Sequence, residues 1–391
     1  MDFKYIKRVF KEPEQTYFLF GPRGTGKSTM TLKNHPDALL IDLRLAEMRF
    51  RFSADPDQLI ELVSARSDGS VIILDEIQKV PELLSIVHIL IEKKRKWKFI
   101  LTGSSARKLK RQGVDLLGGR ALKKILHPFI AFELGELFNL EDVLLYGLLP
   151  LRFGQKNPHE TLQAYITLYL DEEVKTEGLI RYYESFTRFL SVMTFSHGST
   201  LNVSNIAREC HVKRTTVNDW ISILEDLLIC YQINVFQEKA KRELSAHPKF
   251  YFFDTGVYHA LRPKLIKDSE SEINGAGLEG LVAQHLMAWR DYTFQKHEIN
   301  FWRTRSGVEV DFIISGELGF WAIEVKNSQK VRSQDLQSLI AFTEDYKDAK
   351  PIFLYRGKER MVKNGVLCLP CEDFLKNIRP DLALDYAFKR N

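Results

Sequence analysis

A glycine-rich segment close to the start of the chain carries the clearest signature for chemistry. Residues 21–28 fit the pattern G-x-x-x-x-G-K-[ST], between a strand predicted over residues 16–20 and a predicted helix. In this pattern, glycines let backbone N–H groups surround phosphate oxygens, and the helix dipole adds positive charge. Lys27 is expected to bind the β- and γ-phosphates of ATP, and Ser28 to bind Mg²⁺. The residues predicted to line this nucleotide site are Gly21, Pro22, Arg23, Gly24, Thr25, Gly26, Lys27, Ser28 and Thr29.

Two acidic residues follow a second apolar segment. Residues 71–74 predict a buried strand, and Asp75 and Glu76 come at its end, which is the Walker B pattern. Asp75 is expected to hold Mg²⁺ directly or through water, and Glu76 to polarise the attacking water. The next predicted strand ends in a polar cluster, in which either Ser104 or Thr102 is expected to sense the γ-phosphate.

Arg120 follows two glycines further along the chain. The pair Gly119-Arg120 ahead of residues 126–134 resembles a pattern found in one prokaryotic branch of AAA+ proteins. The resemblance implies that Arg120 is an arginine finger, which would stabilise the transferring phosphoryl group in a neighbouring copy of the chain. This interpretation requires a dimer or a ring. The alternative is an ordinary surface arginine beside a glycine turn.

Basic residues are concentrated between Lys93 and Lys124, a segment that we name the basic face. It contains twelve lysines and arginines against the single acid Asp115, a local net charge of +11. This density predicts contact with the phosphate backbone of DNA, although a solvated helix and loop would have the same composition. Trp97 is expected either to stack on a base or to pack into the sheet. The basic residues are Lys93, Lys94, Arg95, Lys96, Lys98, Arg107, Lys108, Lys110, Arg111, Arg120, Lys123 and Lys124.

Residues 201–229 show the pattern of a helix-turn-helix. A first helix is expected to begin with Ser204 as its N-cap, and a turn to follow at His211 and Val212. The second helix carries an apolar face, and residues 229–236 predict a strand that would form a wing. The segment resembles the winged helices of prokaryotic regulators, in which the second helix enters the major groove of DNA. The residues at its exposed start are Lys213, Arg214, Thr215, Thr216 and Asn218. Because the net charge of residues 181–250 is only +2, docking to a protein stays open as the alternative.

A pair of carboxylates and a lysine lie on two strands predicted near residues 308–326. Asp311, Glu324 and Lys326 have the D-x(12)-E-x-K spacing of the PD-(D/E)XK nuclease superfamily, and Glu279 resembles its upstream helical acid. The resemblance implies that Asp311 and Glu324 hold Mg²⁺, while Lys326 orients or deprotonates water. Two alternatives are a fold of this type kept as a binding platform and an acidic hairpin edge that prevents aggregation.

Composition places these motifs in a globular protein of several domains. At about 150 residues per domain, the 391 residues predict two to three domains. Hydrophobic residues make up 45% and charged residues 27%, which excludes collagen-like, disordered and coiled-coil classes. The net charge of +5 permits a nucleic-acid partner without requiring one.

The chain is expected to be cytoplasmic and to have no membrane partner. It has no apolar leader and no apolar run long enough for a membrane span, and its four cysteines predict no disulfide framework. Cys368 and Cys371 form a lone CxxC pattern without a second pair, which favours buried cysteines over a zinc site.

The predicted fold class is α/β, because short apolar runs alternate with helical stretches over the first 125 residues and a parallel sheet follows from that alternation. The predicted domains are a P-loop AAA+ ATPase domain over residues 1–135, a helical connector or lid over 136–195, a winged helix-turn-helix over 196–242, and an α/β restriction-endonuclease-like domain over 243–391.

Over nearly its whole length, the chain resembles the prokaryotic AAA+ proteins that join an ATPase to a nuclease-like domain of unknown function. The resemblance implies an ATPase that uses ATP and Mg²⁺, with DNA as a partner and a homo-oligomer, for which a hexameric ring is one form. Two functions remain open. In the first, the ATP cycle moves or gates the winged helix and the nuclease-like domain on DNA. In the second, a nucleotide-switched scaffold or regulator binds protein partners through a catalytically degenerate nuclease-like domain.

Overall fold

The structure, a computed structural model, describes residues 5–104, 107, 109, 117–176, 183–238, 242, 244, 247–263 and 269–388. The chain forms two compact units. Among the described residues, the N-terminal unit contains those of Lys7–His127 and Asp226–Ile229, and the C-terminal unit contains those of Met1–Ile6, Pro128–Glu225 and Cys230–Asn391.

A five-stranded sheet with the order β2-β3-β4-β1-β5 forms the centre of the N-terminal unit. All of its strand pairs are parallel, so the parallel sheet predicted from the alternation of elements is confirmed. Its strands are β1 (Tyr17–Phe20), β2 (Leu39–Asp42), β3 (Val71–Asp75), β4 (Lys98–Gly103) and β5 (Leu122–Ile125). Its helices are α1 (Lys27–Asn34), α2 (Ala46–Ala54), α3 (Gln58–Ser64) and α4 (Leu83–Glu92).

Helices open the C-terminal unit, as the charged and apolar pattern between residues 132 and 195 predicts. They are α5 (Ala131–Leu134), α6 (Leu140–Tyr146), α7 (Pro158–Thr176) and α8 (Tyr183–Met193).

A helix pair and a small sheet follow. The pair consists of α9 (Val203–Glu209) and α10 (Arg214–Asp226), and the sheet of β6 (Ser199–Thr200), β7 (Cys230–Ile233) and β8 (Lys249–Phe252), in the antiparallel order β6-β8-β7. The predicted N-cap at Ser204 is wrong. The N-cap is Asn202, two residues earlier, whose side-chain oxygen accepts the N–H of Asn205 at 3.1 Å. The predicted turn is present, with His211 in a left-handed conformation at φ 54°.

A six-stranded mixed sheet with the order β13-β14-β12-β11-β10-β9 completes the C-terminal unit. Its strands are β9 (His297–Arg303), β10 (Glu309–Gly316), β11 (Gly319–Lys326), β12 (Lys350–Tyr355), β13 (Met361–Lys363) and β14 (Val366–Pro370). The accompanying helices are α11 (Thr255–Leu261), α12 (Glu270–Tyr292), α13 (Gln337–Asp345) and α14 (Cys371–Asn377). Buried residues of α12, among them Leu278 and Leu281, share one hydrophobic core with Phe312 of β10 and with Trp321 and Ile323 of β11.

The sequence expectation of buried cysteines is also met. Cys368 and Cys371 are buried, and so are Cys210 and Cys230. Within the described residues, no helix combines the length and the apolar character that a membrane crossing demands.

Candidate nucleotide site and C-terminal acidic cluster

The loop over residues 21–26 joins β1 to α1 at the carboxyl edge of the parallel sheet. Gly24 and Gly26 have left-handed φ angles of 78° and 87°, which a side chain would strain. A Cβ at Gly21 would lie 2.5 Å from the carbonyl oxygen of Leu126, so the loop requires glycine there. Arg8, which sequence reasoning missed, is buried and donates to the carbonyl oxygen of Thr25 at 2.7 Å. Arg8, which lies outside the motif, therefore stabilises the conformation of the loop.

Lys27 and Ser28 begin α1 and face the end of β3. The buried Lys27 Nζ donates to the carbonyl oxygens of Gly21 at 2.6 Å and Pro22 at 3.1 Å. Burial lowers the pKa of Lys27 to about 8. Ser28 Oγ lies 2.9 Å from each carboxylate oxygen of Asp75. A glycine cradle, an ammonium donor and a hydroxyl paired with a carboxylate together fit a nucleotide phosphate with Mg²⁺.

Asp75 ends β3 with its carboxylate buried at 1% exposure. The Thr102 hydroxyl donates to Asp75, and it also accepts the N–H of Glu76 at 3.1 Å. Thr102 therefore positions the two acids. Arg44 belongs to no sequence motif, and its Nε lies 3.2 Å from Asp75 Oδ2.

Glu76 has a left-handed backbone conformation at φ 63° and ψ 49°, which turns it out of the strand direction. Gln78 Nε2 donates to Glu76 Oε2 at 2.5 Å and lies 3.4 Å from Ser104 Oγ. Gln78 thus connects the predicted base with the predicted sensor. Sequence reasoning missed it because an amide two residues after the acidic pair belongs to no motif.

Arg120 lies just ahead of β5. Because Tyr17, the first residue of β1, pairs with Leu122, Arg120 is at the amino edge of the parallel sheet, whereas the loop over residues 21–26 is at the carboxyl edge. The arginine cannot reach the nucleotide site of its own chain, and any contact with phosphate would be to another copy. Its Nε lies 2.6 Å from Glu92 Oε1.

The basic face is partly neutralised by neighbouring acids. Arg95 pairs with Asp68 at 2.5 Å, and Lys98 Nζ is 3.6 Å from Glu12. Trp97 is only 6% exposed and packs into the core, so it does not stack on a base. Lys93, Lys94 and Lys96 are exposed, whereas Lys108, Lys110 and Arg111 lie outside the described residues.

The start of α10 presents polar groups to solvent. Lys213, Arg214, Thr215 and Asn218 are exposed, and Thr216 is half-buried. The opposite side of the helix is buried, as predicted, through Val217, Trp220, Ile221 and Leu224.

The predicted carboxylates of the C-terminal unit come together on a hairpin and a helix. Asp311 lies on β10, Glu324 and Lys326 on the antiparallel neighbour β11, and Glu279 on α12. Asp311 Oδ2 accepts the N–H of Val325 at 2.9 Å. Glu324 is 9% exposed, and Lys326 is exposed. Burial and the charge of Asp311 raise the pKa of Glu324 well above its usual range.

Lys249, the first residue of β8, enters this cluster from outside the motif. Its Nζ lies 2.9 Å from Glu279 Oε1, 2.5 Å from Glu309 Oε1 and 2.9 Å from Asp311 Oδ1, and its side chain is 1% exposed. Burial lowers the pKa of Lys249, but the carboxylates outweigh burial and raise the pKa well above its ordinary value. Burial and Asp311 together raise the pKa of Glu279 to about 7.

The cluster does not fit the divalent metal expected at Asp311 and Glu324. The ammonium of Lys249 lies 2.9 Å from Asp311 Oδ1, an oxygen that the ion would need as a ligand. Among the residues that the structure describes, no three His, Cys, Asp or Glu side chains are grouped so that they could hold one metal ion. The metal site at Asp311 and Glu324 stays a prediction from the sequence, and the geometry around Asp311 fits an ammonium.

Comparison with known proteins agrees with the N-terminal geometry. Residues 13–135 match the family model of an AAA domain. The N-terminal unit is therefore an AAA-type, nucleotide-binding P-loop ATPase domain. Residues 137–269 and 274–374 match two families described as domains of unknown function, DUF8612 and DUF4143.

The chain is also similar to individual proteins. Uncharacterized proteins of Mycobacterium tuberculosis and Mycobacterium bovis are each 23% identical over 91% of this chain and 80% of their own length. An AAA-ATPase of Arabidopsis thaliana is 36% identical over 19% of this chain and 15% of its own. The crystal structure of a Signal Transduction ATPase with Numerous Domains, with a tetratricopeptide repeat sensor, from Pyrococcus horikoshii is 14% identical with a TM-score of 0.20; the match covers 70% of this chain and 43% of that one.

Proposed function

We propose that this protein is a Mg²⁺-dependent AAA+ ATPase whose nucleotide cycle controls its C-terminal unit. The observation that carries the proposal is the contact of Ser28 with Asp75 at 2.9 Å, which joins the phosphate-binding loop to the acids at the end of β3. Lys27 and Glu76 flank this pair in the sequence, so groups for binding and for hydrolysis meet at one edge of the sheet.

The residues of the chain have distinct tasks in this proposal. When bound, Mg²⁺ supplies charge neutralisation for the β- and γ-phosphates. Ser28 and Asp75 would hold that ion, and Lys27 would exchange the loop carbonyls for phosphate oxygens. Glu76 orients the attacking water, and Ser104 contacts the γ-phosphate.

The binding half of the proposal is tested by Lys27→Ala. Loss of a charged donor to phosphate should weaken ATP affinity roughly 10- to 100-fold. Lys33→Ala, an exposed lysine in the last turn of the same helix, is the matched control and should leave affinity unchanged. Isothermal titration of the full chain with ATP and Mg²⁺ measures both, and equal affinities for the two variants would contradict the site.

We also propose that α9, α10 and the sheet β6-β8-β7 form a winged helix that binds DNA. Support comes from the exposed polar start of α10, where a basic pair, Lys213 and Arg214, is followed by Thr215 and Asn218. In helix-turn-helix proteins, this end of the second helix contacts base edges and phosphates.

Salt dependence tests the DNA contact. Replacing Lys213 and Arg214 by alanine should lower the slope of log affinity against log salt by roughly 2. Replacing Lys347 and Lys358, two exposed lysines of the C-terminal unit, is the matched control. An unchanged slope in the first variant, together with ATP turnover that duplex DNA does not stimulate, would favour docking to a protein partner.

The basic face is a separate candidate for phosphate contact. Its exposed lysines, Lys93, Lys94 and Lys96, lie next to each other in the sequence between α4 and β4. Neutralising the three together should reduce DNA affinity similarly for all sequences, because phosphate contacts carry no base information. Unchanged affinity would remove this face from the DNA footprint.

A second candidate function is a nucleotide-switched scaffold or regulator. We propose that the C-terminal unit has a nuclease-like arrangement, with Asp311 and Glu324 on a hairpin and Glu279 on the helix packed against it. The observation that favours a binding platform over cleavage is the ammonium of Lys249 among its carboxylates. Incubation of the full chain with labelled duplex and Mg²⁺, with and without ATP, distinguishes the two, since a scaffold leaves the duplex intact.

A further inference from the structure

We infer that the acidic cluster of Glu279, Glu309 and Asp311 takes its counter-ion from the chain itself, as the ammonium of Lys249, and holds no divalent metal while that lysine is in place. The inference concerns only the C-terminal unit. It does not depend on ATP binding or hydrolysis.

The ammonium is paired with three carboxylates and donates hydrogen bonds to two of them, at Glu279 Oε1 and Asp311 Oδ1. Lys249 Nζ carries three N–H donors, and three carboxylates lie within 2.9 Å of it: those of Glu279, Glu309 and Asp311. With a side-chain exposure of 1%, Lys249 has no access to water that could replace these contacts. A buried charge is stable only when it is paired in this way.

A divalent ion and the ammonium cannot share these oxygens. Mg²⁺ requires oxygen ligands at about 2.0–2.1 Å in octahedral geometry, and that volume lies where the ammonium is. Two cations at such a separation would also repel each other strongly in a buried site. Metal binding would therefore require the lysine side chain to leave.

The remaining oxygen contacts of the cluster are also made within the chain. Tyr251 donates its hydroxyl to Glu279 Oε1 at 2.6 Å, and Val325 donates its N–H to Asp311 Oδ2. Arg303 Nη1 lies 3.1 Å from Glu309 Oε2. The carboxylates are thus oriented toward donors of the protein.

The ion pairs of Lys249 connect two sheets of the C-terminal unit. Lys249 begins β8, which is hydrogen-bonded to β6 and β7, whereas Asp311 and Glu309 belong to β10 of the six-stranded sheet. The ammonium therefore links the small sheet beside the helix pair to the nuclease-like hairpin. Opening a metal site would break this link.

Binding of Mn²⁺ to the nucleotide-free full chain tests the inference. Electron paramagnetic resonance counts bound Mn²⁺ in the wild-type chain, Asp311→Asn, Lys249→Met and the double variant. Any ion held by Ser28 and Asp75 is common to all four and cancels. We expect the wild-type chain and Asp311→Asn to bind equal numbers of ions, and Lys249→Met to bind one more ion per chain, which the double variant loses. Lys296→Met, at an exposed lysine, is the control and should match the wild type.

Two results would overturn the inference: a Mn²⁺ site in the wild-type chain that Asp311→Asn removes, or no additional site in a Lys249→Met variant that is folded. If Lys249→Met does not fold, the comparison of the wild type with Asp311→Asn and with Glu279→Gln still decides. Equal binding in these three chains supports an internal counter-ion, and loss of an ion in either variant refutes it.

Discussion

Ser28 and Asp75, 47 positions apart in the sequence, meet with the serine Oγ 2.9 Å from both carboxylate oxygens. The contact joins the first turn of α1 to the last residue of β3. Because β1 and β3 are both parallel neighbours of β4, their carboxyl ends open on the same edge of the sheet. The topology of the sheet therefore brings the groups of the nucleotide site together.

Glu76→Gln should retain ATP binding and lose hydrolysis. The amide keeps the size of the side chain but is a poor base, so turnover should fall about 100-fold or more. Steady-state phosphate release and ATP titration of the same preparation measure the two effects. Glu82→Gln, an exposed glutamate of the same unit, is the control. Wild-type turnover in Glu76→Gln would assign the base elsewhere.

Gln78→Leu should slow turnover without weakening ATP binding. Gln78 Nε2 donates to Glu76 Oε2, so its loss releases the carboxylate from a fixed orientation while the volume of the side chain is nearly kept. Loss of a hydrogen bond to a charged group corresponds to roughly 10- to 100-fold in kcat. An unchanged KM for ATP separates this positioning role from a general disturbance of the site. If kcat stayed at the wild-type value, Gln78 would be a packing residue only.

Chains that all carry Arg120→Ala should lose ATP turnover. A neighbouring chain that keeps Arg120 should restore it. The place of Arg120 at the amino edge of the sheet keeps it from the nucleotide site of its own chain. Mixing Arg120→Ala with Lys27→Ala chains should restore part of the activity, because a mixed pair combines one intact nucleotide site with one intact arginine. Absence of rescue at every mixing ratio would leave Arg120 as the partner of Glu92 alone.

His285 should make the protein sensitive to mild acid. The His285 ring is buried. Its Nε2 accepts the N–H of Ala131 at 2.9 Å, and its Nδ1 lies 2.8 Å from the carbonyl oxygen of Leu281. Burial lowers the pKa of His285 to about 4, so the unfolded chain binds a proton more readily than the folded one. The contribution of neutral His285 to the free energy of unfolding is complete above about pH 6.5. It is lost as the pH falls toward 4, which lowers the free energy of unfolding by about 3 kcal/mol.

The measurement for His285 is the free energy of unfolding in urea between pH 7 and pH 4.5. His285→Gln should flatten the profile, whereas His159→Gln, at an exposed position, should not. A residual slope is expected, because burial also lowers the pKa of His197 to about 3 and that of His259 to about 4. A profile unaltered by His285→Gln would contradict the assignment.

The sequence by itself determined the features that depend on neighbours along the chain. The pattern of residues 21–28, the acids after residues 71–74 and the alternation of apolar runs were sufficient to predict the parallel sheet and the place of the nucleotide residues. Glycine spacing and strand periodicity are local properties, so they can be read without knowing the fold.

Tertiary structure decided which distant groups meet. Only packing showed that Thr102 supports Asp75, that Trp97 is buried and that Gln78 holds Glu76. Lys249 is the clearest case, because it is 62 positions from Asp311 and no motif connects the two. A lysine in a strand of aromatic residues gives no sign of its partner. Its ion pairs exist because β8 is placed beside β10 and α12, and that placement is a property of the whole hydrophobic core rather than of any segment.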